Sequence, residues 1–85
     1  MKEFRWDLLK EERLKRTRGV SFDEILQARP IAIRQHPRRS DQQLMLFERR
    51  GYIWVVPFVE RGDVLFLKTL YPSRKYTKRY RRGGV

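Results

Sequence analysis

Residues 52–60 and 64–71 constrain the fold most. Both runs are rich in β-branched and aromatic residues, the composition of strands. Only Arg61-Gly62-Asp63 separates them, so they read as an antiparallel pair joined by a short turn. Along the first run Trp54, Val56 and Phe58 fall on one alternating face, and Ile53, Val55 and Val59 fall on the other. Both faces of this sheet must therefore be covered by other parts of the chain or by a partner, because a large exposed apolar face marks an interaction site.

The N-terminal half supplies the first cover. Asp7 is placed to cap a helix that runs to about Arg18, with Leu8, Leu9 and Leu14 as its apolar positions. Glu11 with Lys15, and Glu12 with Arg16, have the spacing of favourable helical ion pairs. Gly19 ends that helix. Ser21 and Glu24 then form a capping box, with Val20 and Ile25 at the two staple positions, for a second helix over about 22–28. Pro30 breaks this helix, and a short strand is expected over 31–34. A polar loop of His36-Pro37-Arg38-Arg39-Ser40-Asp41 and a strand over 43–48 follow. Arg49-Arg50-Gly51 is a turn. Pro57 has no N–H, so it is expected at a bulge or on a strand edge that faces no neighbour. Pro72 stops the last strand, Ser73 caps a short helical segment, and Gly83-Gly84-Val85 is expected to fray.

Charge separates the end of the chain from the rest. The 85 residues carry 21 Lys or Arg and 10 Asp or Glu, a net charge of +11. Seven of the basic residues and none of the acidic ones lie in 64–85. Arg74 and Lys75 sit where a helix start already carries partial positive charge, with no acid nearby in sequence. An anion would relieve that repulsion and meet free backbone N–H groups. A solvated basic tail is the simpler alternative. Such a balance implies a polyanionic partner, with nucleic acid as the default. The chain lacks cysteine and has one histidine, so thiol chemistry, zinc ribbons and His-based metal sites are excluded. No cofactor is called for. No apolar run reaches membrane-spanning length. The sequence reads as one domain over 1–85, with a basic C-terminal segment at 72–85, in a cytoplasmic protein without a membrane partner.

The pattern Phe4-x-Trp6-Asp7-x-x-Lys10, then Leu14, then Arg18-Gly19-Val20-Ser21-Phe22-Asp23-Glu24, resembles the opening of BrnT-type toxins of bacterial type II toxin–antitoxin pairs. Ser73-Arg74-Lys75-x-Thr77-Lys78-Arg79 resembles the basic segment after their last strand. The resemblance implies an α+β, RelE-like fold: two N-terminal helices packed on a small antiparallel sheet of three to four strands, then a short C-terminal helix. It implies a toxin that cleaves RNA and blocks translation. A cognate antitoxin would neutralise it, usually through a ribbon-helix-helix DNA-binding protein that alone contacts operator DNA. The chain departs from the pattern at Arg18, where many relatives have histidine, at Tyr80, where many have glutamate, and at Tyr76, where many have a small residue. A gyrase-directed toxin of the same fold, an RNA-binding module without turnover, and a small ribosome-associated basic domain are the alternatives.

Metal-independent RNA cleavage needs an acceptor for the ribose 2′-OH proton, fixed cations for the transition-state phosphate, and an acid for the leaving oxygen. Arg74 is the first candidate cation, because a guanidinium fork pairs with two phosphate oxygens. Lys75 is second. Lys68 is third, and as a charge in an apolar strand it either snorkels to solvent or does chemistry. His36 is a candidate base or acid, or simply an exposed loop residue. Glu48 is an alternative base, or one half of an ordinary turn ion pair. Arg38, Arg39, Arg49, Arg50, Lys78, Arg79, Arg81 and Arg82 would guide RNA electrostatically. Tyr80 would stack on a base, whereas Tyr76 packs on the sheet.

Overall fold

The computed structural model describes residues 2–85, so Met1, the first residue of a lead-in over 1–6 that the sequence allows as a strand, lies outside it. The chain runs β1 (Glu3–Arg5), α1 (Leu8–Arg18), α2 (Phe22–Leu26), β2 (Arg29–Gln35), β3 (Gln43–Arg49), β4 (Tyr52–Arg61), β5 (Val64–Leu67), β6 (Tyr71–Pro72) and α3 (Arg74–Arg81). The sheet has six strands. Five lie in the order β1-β5-β4-β3-β2, and β6 pairs with β4 off that path.

This corrects the expected architecture of two N-terminal helices on a sheet of three to four strands. The chain begins with a strand, β1, which pairs in parallel with β5, so the sheet is mixed. The two extra strands are short. β1 is only three residues long, and β6 is two residues lying beyond a break in what reads as one run over 64–71. Pro57 accounts for the break. Its carbonyl accepts the main-chain N–H of Lys68 at 2.8 Å, so this edge of Pro57 faces the end of β5. The ring nitrogen on that edge has no hydrogen to continue the ladder. β5 therefore pairs only with Phe58 to Arg61, and β6 re-enters opposite Trp54 and Val55. Pro30 likewise lies inside β2, an edge strand, beside a register shift before Ala32.

Local signals fix the N-terminal elements. Asp7 caps α1, its carboxylate accepting from the main-chain N–H groups of Leu9 and Lys10 at 2.8 and 3.3 Å. Gly19 closes α1 at φ 75°, a conformation that favours glycine. The Ser21–Glu24 capping box forms in both directions. Gln27 caps α2, which ends at Leu26 rather than near residue 28. Lys15 pairs with Glu24 rather than Glu11. Glu11 instead accepts from Trp6 Nε1 at 3.0 Å. Both links tie α1 to its neighbours, which matters because α1 buries only Leu14. Of the apolar positions read on this helix, Leu8 and Leu9 are each 73% exposed.

Two apolar clusters cover the two faces of the sheet. On one side Leu14, Val20, Phe22 and Ile25 pack on Met45, Phe47, Trp54, Val56, Phe58, Leu65 and Leu67. On the other, Leu44, Leu46, Ile53 and Val55 lie under Tyr76, Tyr80 and Val85 of the C-terminal segment. The last residues fold back onto α3 and β2. Gly83 and Gly84 donate main-chain N–H groups to Tyr80 and Arg79, and Arg34 donates to the Val85 carbonyl. The β3–β4 turn uses Arg50 at φ 55° and Gly51 at φ 79°, the two positive values of a two-residue type I′ hairpin.

Candidate nucleic-acid interface

The C-terminal helix is anchored at its first turn. Ser73 caps α3, its Oγ accepting from the main-chain N–H of Tyr76 at 3.1 Å. The main-chain N–H of Ser73 donates to the Ile53 carbonyl at 2.8 Å. Buried Thr77 completes the clasp: its Oγ1 accepts from the Ile53 N–H at 2.9 Å and donates to the Ser73 carbonyl at 2.6 Å. This clasp sets which way α3 faces. Thr77 points in, Tyr76 and Tyr80 are half-buried on the sheet, and Arg74, Lys75, Lys78, Arg79, Arg81 and Arg82 are exposed.

Arg74 and Lys75 occupy the first two helical positions, whose N–H groups have no intrahelical partner. No acidic residue lies in that turn. Arg79 stands 5.6 Å from the Tyr76 ring centroid and Lys75 stands 6.0 Å from it, so one ring carries two cations. Among the described residues, every ion pair takes its cation from Lys2 to Arg49. The seven cations of the C-terminal quarter meet no carboxylate.

Glu48 is an acid in contact with this helix. It sits opposite Ile53 in the β3–β4 register, one step from the α3 clasp. Its Oε1 receives the Tyr80 hydroxyl at 3.3 Å and lies 3.5 Å from an Arg29 guanidinium nitrogen. Oε2 makes no hydrogen bond among the described residues. Sequence reasoning missed Arg29, because only the strand register places it across from Glu48. Arg50 is exposed at the turn that follows Glu48. Arg49 faces the other way: it is half-buried and lies 4.0 Å from Glu24, so it braces α2.

Lys68, His36 and Arg39 gather elsewhere. They line an open trough of about 900 Å³ at the opposite end of the strands, beside the β5–β6 break. From Ile53 to Pro57 the separation along β4 is about 13 Å, at ~3.3 Å per residue. His36 is not a free base here. Its Nδ1 accepts the main-chain N–H groups of Arg38 and Arg39 at 3.0 and 3.1 Å, which assigns the ring proton to Nε2. Arg38 is exposed and does not line the trough. The described residues hold no cluster of acids and histidine able to bind a metal. No helix is long and apolar enough to cross a membrane.

Fold and surface together define a small, strongly basic α+β protein with a layered six-stranded sheet and a cationic C-terminal helix. The same fold occurs in the crystal structure of the Brucella abortus ribonuclease toxin BrnT, with a TM-score of 0.58 and 20% identity over 86% of this chain and 97% of that one. No protein-family model and no curated protein sequence matches the chain.

Proposed function

We propose that this protein is a BrnT-like toxin that cleaves single-stranded RNA without a metal and thereby inhibits translation, and that a cognate antitoxin encoded with it holds it inactive in the cytoplasm. The observation that carries this reading is the α3 surface. Five exposed cations stand on α3 and a sixth, Arg82, caps it; none forms an ion pair among the described residues, and they stand beside one carboxylate whose Oε2 makes no hydrogen bond there. A solvated tail would have no clasp to fix its direction, whereas α3 has one on a fully buried strand residue. The shared fold with a ribonuclease toxin supports the same reading.

In this scheme Arg74 and the free N–H groups of the first turn bind the scissile phosphate. Glu48 Oε2 accepts the 2′-OH proton as the 2′ oxygen attacks phosphorus. Arg29 and Tyr80 hold the carboxylate through Oε1, which makes Tyr80 a positioning residue. Lys75 donates a proton to the departing 5′ oxygen. The products are a 2′,3′-cyclic phosphate and a 5′-hydroxyl end. The antitoxin carries acidic segments that cover α3, since binding must neutralise its charge.

The test is cleavage of a labelled single-stranded RNA in EDTA by the wild type, by Arg74→Ala with Lys75→Ala, and by Glu48→Gln. Cyclic phosphate ends produced by the wild type and lost in both folded variants are expected. Unimpaired cleavage by Glu48→Gln would remove Glu48 from the chemistry. No cleavage by the wild type on free RNA or on ribosomes would refute the enzymatic reading.

A further inference from the structure

The trough at the β5–β6 break is distinct from the α3 surface. Lys10, Arg39 and Lys68 line it, and none of the three meets a carboxylate among the described residues. The one acid on its wall, Asp7, is occupied in capping α1. His36 contributes an N–H donor, because its Nδ1 is already engaged. Trp6, Phe66 and Tyr71 line the trough with these cations. Phe66 is 38% exposed, although its neighbours Leu65 and Leu67 are buried. It turns to the trough side together with Pro57 and Tyr71. Burial pushes the Tyr71 phenol above its ordinary pKa, so it remains a neutral hydroxyl there.

An exposed ring next to unpaired cations suits a partner with both phosphates and flat bases. A small anion would use the cations and leave Phe66 without a role. A small-molecule site buries most of its ligand, and this trough is not an enclosed cavity. An acidic protein segment would meet the cations but has no need of a ring face. We infer that the trough is a subsite for single-stranded RNA, in which Lys10, Arg39 and Lys68 take backbone phosphates and Phe66 stacks on a base. The inference rests on the RNA reading above and extends it: the strand cut beside α3 continues along the direction of β4 into the trough. That span of about 13 Å corresponds to a few nucleotides, not one.

The experiment measures binding of a fluorescein-labelled hexauridylate, fully 2′-O-methylated so that it cannot be cut by 2′-OH attack, and of an abasic oligomer of the same length. Lys68→Ala should weaken both ligands severalfold. Phe66→Ala should weaken the hexauridylate about tenfold, the usual scale of one stacked base, and leave the abasic oligomer unchanged. Phe66→Tyr should restore hexauridylate binding. Equal loss of both ligands in Phe66→Ala, or no loss of either, would overturn the stacking subsite. Tight binding of a polyglutamate peptide that competes with the hexauridylate and depends on Phe66 would assign the trough to an acidic protein instead. The two proposals fail separately. Phe66-dependent binding without cleavage of ordinary RNA keeps the subsite and removes the enzyme, whereas cleavage with unchanged KM in both trough variants keeps the enzyme and removes the subsite.

Discussion

Thr77→Val tests how the cationic helix is held. Valine keeps the shape of threonine but not its hydroxyl, so this is not a neutral swap in a buried site. Thr77 is 3% exposed and Ile53 is fully buried. In the variant the Ser73 carbonyl keeps its helical bond from the Thr77 main-chain N–H at 3.1 Å. The Ile53 N–H, which gives its hydrogen to Thr77 Oγ1 at 2.9 Å, is left without a partner away from water. An orphaned buried donor costs about 1–3 kcal/mol. A central value of about 2 kcal/mol lowers the melting temperature of a domain this size by roughly 8–16 °C. Thr77→Ser keeps the hydroxyl and loses one methyl group, about 0.8 kcal/mol and so roughly 3–6 °C. Thermal and urea unfolding of the three proteins, with amide exchange at Ile53 as the local probe, measure this. Equal stability of Thr77→Val and Thr77→Ser would refute the argument, because it would mean that the hydroxyl satisfies nothing.

Other outcomes follow from the same structure. The hydrogen bond from Lys15, helped by the Ser21 backbone, lowers the Glu24 pKa to about 2. A lowered carboxylate pKa adds stability above the unfolded value, near ~4.3, and that stability fades as pH falls toward the folded value. Glu24→Gln should therefore flatten the stability profile between pH 5 and 2, in unfolding titrations that leave the slope near pH 7 unchanged. Arg50 takes φ 55° in the type I′ turn. Arg50→Asn should stabilise the fold by about 0.5–1 kcal/mol, since Asn tolerates this region better, and Gly51→Ala should destabilise it by about 1–2 kcal/mol; chemical denaturation reads both. Removing Arg74 and Lys75 together should reduce the salt dependence of single-stranded RNA binding by about 1.4 in the log–log slope, if each neutralises one phosphate. An unchanged slope would place those phosphates elsewhere.

The sequence by itself determined what is local or composed of neighbours. The Asp7 cap, the Gly19 stop, the Ser21–Glu24 box and the Ser73 cap all form as read, because each depends on residues within about four positions of one another. The doubly apolar run at residues 52–60 required cover on both faces, and the two clusters supply it. The unbalanced charge of the last quarter was equally plain, because no acid follows Asp63. Only the tertiary structure decided the rest. Pairing of β1 with β5 joins residues 61 positions apart, as in Glu3 opposite Val64, and no local pattern encodes it. The same holds for the Tyr80–Glu48–Arg29 contact, for Lys15 choosing Glu24 over Glu11, and for Arg49 turning to α2. The basic candidates look alike in sequence, yet the fold divides them: Arg74, Lys75, Lys78 and Arg79 stand on α3, whereas Lys68 lines the trough beside the strand break at Pro57, which cannot donate.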